Sequence, residues 1–308
     1  MAQHSQIGVV TVTYNSSAVL SQFLKCAFKQ AHRDFILFAV DNASSDDTLC
    51  ILQECQDERL KIIANRENLG VAAGNNQGIR AALEAKCDSV LLINNDTEFD
   101  ELLFSLLDEG ANKHRMDMVS PKMMFYDEPD RIWSTGGMFH SWRGYQPIDF
   151  GGGQMDVGQH NLTRLITYAP TCCVLMKKEV FDVVGLMDER YFVYMDDVDF
   201  MYRAMNARIK LMYLPEAKLF HKVGRLTGGQ ESTFTIRYCT RNRIFFWLKH
   251  FGAVCSAPLI ALYQLHILID VLRGKYRRKD LCVKQAAVIE GMRMWRSRTS
   301  TTMKAKAE

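Results

Sequence analysis

The 308-residue chain lacks most of the short signatures that would name a chemistry outright. Its nine cysteines are odd in number and scattered, with an adjacent pair at Cys172-Cys173 and no C-x-x-C. Neither a disulfide framework nor a cysteine zinc site is spelled out, and a reducing cytosolic setting is the simpler expectation. The dinucleotide fingerprint G-x-G-x-x-G and the P-loop are both missing, which removes those cofactor readings. No basic region precedes the first apolar run at Ile7, so a cleaved secretion signal is not expected. Internal repeats and low-complexity tracts are absent too. A large net charge is also lacking, but the value of +3 hides an asymmetry: residues 1–236 carry 23 Lys/Arg against 31 Asp/Glu, and residues 237–298 carry 13 against 3. The split predicts a domain over 1–236 and a basic, apolar helical segment over 237–308, each with its own partners.

What is present is an alternation of short apolar runs and helical patterns. Ile7–Thr13, Phe35–Val40, Leu60–Ala64 and the run through Ile93 read as buried strands. Val19, Leu20, Phe23, Leu24 and Ala27 recur at helical spacing, with Ser16 or Ser17 as the expected cap. Ser44 or Ser45 is the expected cap of a second helix, and a third runs from about Val71 to Ala85. Gly70, Gly74 and Gly78 lie on one face of that third helix, where close packing on the sheet is the plain reading and Gly70 could also let a ligand approach. Strands and helices alternating at this spacing define an α/β fold with a mostly parallel open sheet.

Ligands of such sheets gather at the carboxyl ends of the strands. Three loops land there: after Thr13, at Asp41, and at Asn94-Asn95-Asp96. Asp41 can accept from a base N–H or a ribose hydroxyl, or can simply precede a helix. Asp96, beside two amides, suits a hard divalent cation that prefers oxygen ligands, and equally suits a turn carboxylate capping a helix expected from Asp100 to His114. Farther on, Ile166–Met176 reads as a strand and Lys177–Val184 as a short helix. Asp196, Asp197 and Asp199 then crowd three carboxylates into four positions, where repulsion and partial burial raise proton affinity as a general base requires. Asp199 also answers the dipole of the helix that begins there, leaving Asp197 to face the crevice. A lone His221 after an apolar strand is, on its own, more often structural than a ligand. Between Asp127 and Thr163, Trp133 and Trp142 suit either a sugar ring or loop packing.

Val10-Thr11-Val12-Thr13-Tyr14-Asn15, Asp41-Asn42-Ala43-Ser44-Ser45-Asp46, Asn68-Leu69-Gly70 through Asn75, and Leu92-Ile93-Asn94-Asn95-Asp96 together resemble the family 2 glycosyltransferases of the GT-A fold, bacterial rhamnosyltransferases in particular. The resemblance spans about Gln6 to Arg225. It implies a Rossmann-like nucleotide-binding half and a nucleoside-diphosphate sugar held by Thr13, Tyr14, Asn15, Asp41, Asn68, Gly70, Asn75, Asn94 and Asn95. It also implies a divalent metal, Mn2+ or Mg2+, on Asp96 and His221, and a flexible loop at Gly224–Gly229. Met195 to Asp199 is similar to the family's Glu-Asp-x-Asp motif, which makes Asp197 the base and Asp196, Asp199 and Arg203 its support. Two departures stand out: Asp196 replaces Glu, and Asn94 replaces the first Asp of the metal motif.

In the tail, Phe251 to Leu272 is apolar and is followed by Arg273, Lys275, Arg277, Arg278 and Lys279. Pro258 is expected to interrupt it and leave a helix of roughly 21 Å, short of the roughly 30 Å hydrocarbon core. An amphipathic segment on an anionic membrane surface is therefore expected, rather than nucleic-acid binding, with a core or oligomer-interface helix next and a true span last. The whole reads as an inverting glycosyltransferase, peripheral at the inner face of the cytoplasmic membrane. The expected donor is dTDP-rhamnose or, next, a UDP-sugar, and the acceptor a glycan or lipid-linked glycan. The rivals are a nucleotidyltransferase, which would want a basic residue in Tyr14–Ser17, and a non-catalytic sugar or nucleotide binder.

Overall fold

The computed structural model describes residues 5–223, 232–274 and 278–304. It divides into two compact units, Met1–Phe192 with Asp196–Leu226, and Val193–Met195 with Thr227–Glu308. The first unit begins with β1 (Ile7–Thr13), α1 (Ser17–Phe28), β2 (Phe35–Asp41), α2 (Thr48–Glu54), β3 (Leu60–Ala64), α3 (Val71–Glu84) and β4 (Ser89–Ile93). It continues through β5 (Thr97–Phe99), α4 (Leu103–Lys113), β6 (Met118–Phe125), β7 (Ile132–Ser134), β8 (Gly137–His140), β9 (Gln146–Asp149) and β10 (Arg164–Ile166). It closes with β11 (Cys173–Lys177), α5 (Glu179–Val184), α6 (Asp196–Asn206) and β12 (Leu211–His221). The second unit contains α7 (Thr233–Leu272) and α8 (Arg278–Lys304).

One mixed sheet runs in the order β10-β12-β6-β11-β4-β1-β2-β3. Its β4-β1-β2-β3 half is parallel, and β11 enters antiparallel between β4 and β6. Alternate residues of the central strands face opposite layers. Val9, Leu91 and Ile93 join a core with Leu20, Phe23 and Phe104, and Val10, Val90 and Leu92 join one with Ile79, Phe200 and Tyr213. Each fully buried side chain of this size contributes about 1.5–3 kcal/mol of transfer free energy, so these strands need no alternation of polar and apolar residues to find their place. Gly78 fits α3 onto the sheet: a Cβ there would lie 2.2 Å from Val10.

Three local expectations change. The segment expected as one strand from Ile166 to Met176 is two, β10 and β11, with residues 167–172 crossing between them. Neither Ser16 nor a Ser44/Ser45 side chain caps its helix. Asp46 serves both helices, accepting from Ser17 N–H and Thr48 N–H at 3.1 Å each. Burial opposes its charge, yet the Thr48 and Ser17 bonds outweigh that and hold Asp46 down to about 2. Finally, Asp96 leads into β5 and not into a helix, and α4 starts only at Leu103.

In the helical unit, α7 breaks at Gly252 (φ 72°, ψ 175°) and passes through Pro258 without stopping. The leg from Ala253 to Leu272 is therefore about 30 Å long, longer than the sequence implied. By length and composition α7 is apolar enough to cross a membrane. Glu290 of α8 pairs with Arg237 and Arg241, and Gln264 and Gln285 exchange amide bonds. Asn242 Nδ2 donates to the carbonyls of Val193 and Tyr194 at 2.8 Å each. Tyr194 and Met195 hold positive φ values of 62° and 65°, a conformation that non-glycine residues keep only where their surroundings enforce it.

Candidate active site

The parallel register sets Thr13 beside Asp41. Thr13 Oγ1 donates to Asp41 Oδ1 (2.9 Å) and Ser44 N–H to Asp41 Oδ2 (3.0 Å), so this carboxylate, 1% exposed, is fully engaged by its own loops. Asn15, at φ 50°, accepts from Ser45 N–H (2.8 Å), which joins the first two loops. Tyr14 projects outward and is 46% exposed. Asn68 Oδ1 accepts from Gly70 N–H (2.9 Å) and turns the chain into α3. Gly70 has φ 85°, and a Cβ on it would lie 2.5 Å from the Phe192 carbonyl, so the close approach it permits is that of the protein's own backbone. Asn75 does not join these loops: its amide lies 3.7 Å from the Met187 sulfur. Its neighbour Asn76, absent from the expected set, exchanges bonds with the Met187 backbone.

On the other side of β1 the picture differs. Asn94 is exposed, and Asn95 donates to the Val12 carbonyl (2.6 Å) while its own Oδ1 is buried without a hydrogen-bond partner. β5 pairs antiparallel with β12, Thr97 opposite His221. That pairing sets Asp96 Oδ1 3.2 Å from His221 Nε2. Asp96 Oδ1 and His221 Nδ1 are both buried and make no hydrogen bond. The His221 ring meets Trp133 edge to face, 4.3 Å between centroids, so Trp133 packs on the histidine. Burial opposes charge on the ring, but the Cys172 sulfur and Asp96 outweigh it and His221 is raised. Burial itself keeps the Cys172 thiol above its usual range, which leaves Asp96 as the charge that matters at neutral pH.

These donors fit a divalent cation. Asn95 Oδ1 is a buried acceptor with no hydrogen-bond partner, and at the same strand end stand the Asp96 carboxylate and the His221 imidazole, which would give up its proton to bind a cation. Among the described residues no three His, Cys, Asp or Glu side chains are arranged to hold a metal ion by themselves. A carboxylate–imidazole pair that leaves other positions to phosphate oxygens and water matches the usual economy of such sites. Residues 224–229, the expected loop over the diphosphate, lie outside the described residues.

The third group is the start of α6. Asp196 is 4% exposed and Asp199 is fully buried, whereas Asp197 keeps partial access to solvent. Asp199 accepts from Tyr191 Oη and Arg203 Nε, both at 3.0 Å, and Arg203 also donates to the carbonyls of Val184 and Leu186. These two residues pin the approach to α6. Burial, then the charge of Asp197, pushes Asp196 up, and burial raises Asp197 as well. A Tyr168 hydroxyl at 2.7 Å and the Val198 N–H pull Asp197 back. Asp197 is thus the least enclosed of the three carboxylates, with lone pairs left for an incoming hydroxyl. Sequence reading missed Tyr168. It follows no periodicity, and only the break between β10 and β11 brings it here.

A mixed sheet with hydrogen-bonded loops at one strand end, a carboxylate–imidazole pair at the next and a partly accessible carboxylate at a helix start describes a mixed α/β scaffold. The chain belongs to glycosyl transferase family 2, whose model matches residues 8–185. It is 26% identical over 304 residues to the N-acetylglucosaminyl-diphospho-decaprenol L-rhamnosyltransferase of Mycobacterium tuberculosis, covering 88% of this chain and 95% of that one. It is 23% identical over 298 residues to the dTDP-rhamnosyl transferase RfbF of Shigella flexneri, covering 94% and 96%. Among solved structures, GalNAc-T7 with UDP, GalNAc and Mn2+ superposes with a TM-score of 0.60 at 15% identity, over 80% of this chain and 50% of that one. The mannosyltransferase PcManGT of Pyrobaculum calidifontis, with GDP-Man and Mn2+, superposes with a TM-score of 0.57 at 13% identity, over 94% and 87%. The chain therefore spans half the length of the first of these structures and most of the second. The fold is of the GT-A type, and the protein is a glycosyltransferase.

Proposed function

We propose that the protein is an inverting hexosyltransferase that moves L-rhamnose from dTDP-rhamnose to a hydroxyl of a glycan or lipid-linked glycan. The observation that carries this reading is the pairing of the unsatisfied Asp96 Oδ1 with His221, 3.2 Å apart, in a chain that also holds an accessible carboxylate at Asp197. Asp197 accepts the proton of the acceptor hydroxyl as its oxygen bonds to the anomeric carbon. The bond from that carbon to the diphosphate breaks on the opposite face, and the configuration inverts in one displacement. Asp96 and His221, with Asn95, would hold the divalent cation, and Thr13 and Asp41 would shape the nucleotide pocket. When bound, Mn2+ or Mg2+ neutralises charge on the departing diphosphate. The two rhamnosyltransferase relatives, each aligned over most of its length, support the donor assignment.

The second unit supports a place at the membrane surface. Val254, Leu262, Leu265, Leu268 and Leu272 are more than half exposed along one leg of α7, while Ser256 and Asp270 are buried. An apolar exterior suits acyl chains, and the exposed Arg273 and Lys279 suit anionic headgroups. On this reading the enzyme works at the inner face of the cytoplasmic membrane, next to a lipid-linked acceptor.

The purified chain should release dTDP slowly from dTDP-rhamnose in Mn2+ or Mg2+, with chelator or Asp96→Ala abolishing release. If no nucleotide sugar binds under any metal condition, the transferase reading is wrong.

A further inference from the structure

We propose that Tyr168 is the positioning residue of the general base: its hydroxyl holds Asp197 Oδ2 so that the remaining lone pairs face the acceptor. The inference rests on the reading of Asp197 as the base. The geometry behind it is specific. The 2.7 Å bond joins side chains from two distant parts of the chain. Tyr168 is fixed at both ends: its backbone exchanges hydrogen bonds with Gly137 (2.9 and 3.1 Å), and its ring meets Phe139 edge to face at 5.9 Å. Phe139 in turn packs on Tyr202 of α6, the helix that carries Asp197. The tyrosine and the aspartate are therefore registered by backbone and by ring packing, and a small rotation of either would break the bond.

The surroundings make this hydroxyl consequential. Asp197 shares its helix turn with Asp196 and Asp199, and Asp149 acts on Tyr168 from β9. All of these are acidic, and among the described residues no Lys, Arg or His pairs with Asp197. A base in such company gains protons too readily, and a donated hydrogen bond is what offsets it. Burial and the neighbouring carboxylates keep the Tyr168 hydroxyl well above its ordinary pKa, so it remains a donor throughout the working range. The acceptor's proton goes to Asp197, and the tyrosine keeps its own.

The test is Tyr168→Phe in the full chain, which removes one oxygen and leaves the ring. The acid limb of kcat/KM should move up by about one pH unit. Turnover should fall about tenfold near the foot of that limb and recover toward wild type above it, with thermal midpoint and donor affinity unchanged. Wild type and Asp197→Asn are measured alongside. Turnover in wild type, loss in Asp197→Asn and an unmoved limb in Tyr168→Phe would overturn the role of Tyr168 alone. Absence of turnover in wild type would overturn the base reading and this inference with it. A uniform loss at every pH with a lowered thermal midpoint would show Tyr168 to be a packing residue only.

Discussion

Asp41 ends β2 and Asp96 follows β4, the two strands that flank β1, and both are nearly inaccessible, yet they are treated in opposite ways. Asp41 receives Thr13 and Ser44 and has nothing left to satisfy. Asp96 Oδ1 has one neighbour, the His221 ring at 3.2 Å, whose own Nδ1 is buried without a hydrogen bond. Leaving a buried polar group unsatisfied costs about 1–3 kcal/mol, so a chain that tolerates it at one strand end and avoids it at the next has divided scaffold from site. Burial and carboxylate chemistry are the same in both; the number of internal donors is what separates them.

The largest expected effect lies outside this pair and calibrates it. Asp197→Asn should lower kcat roughly 10²–10⁴-fold, with the affinity for a nucleotide sugar, read by calorimetry, unchanged. Retained turnover in that variant would remove the base assignment. Within the pair, the contrast should appear as stability against binding. Asp41→Ala strands the Thr13 and Ser44 donors and should lower unfolding free energy by about 2–3 kcal/mol in urea titrations. Asp96→Asn should cost less than about 1 kcal/mol while abolishing metal-dependent donor binding; equal losses of stability would erase the distinction drawn here. The smallest effect belongs to the helical unit. Leu262→Glu should weaken sedimentation with anionic vesicles about tenfold and leave donor hydrolysis in solution as it was.

Much of the first unit was legible in the sequence because β1, β2, β3, β4 and α3 are written as local patterns. Apolar runs of strand length and an apolar stripe at helical spacing depend on neighbours a few residues away. The Asp96 and Asp197 motifs could be placed because strand ends and helix starts follow from those patterns. What was not legible depends on distant partners. β5 is three residues long, and only its partner β12 makes it a strand. Asp46 displaces the expected serine caps because two loops meet there, and Trp133 turns out to support His221. Pro258 was expected to interrupt the apolar segment, which in fact breaks at Gly252. Proline removes one N–H, whereas a glycine at positive φ redirects the whole backbone.

The three-residue β5 has a consequence for the order in which the protein assembles. His221 lies 125 positions after Asp96, and pairing along β5 and β12 brings them together. Contacts of such sequence separation are among the last that a chain can close. A nascent chain that has been made as far as Asp96 already holds the loops after β1 and β2 but not His221. A cation held between Asp96 and His221 would bind only after that long closure, and at a concentration one hundred times its Kd it would favour the closed state by about 2.7 kcal/mol. On the proposed reading, metal affinity followed during refolding would report that closure.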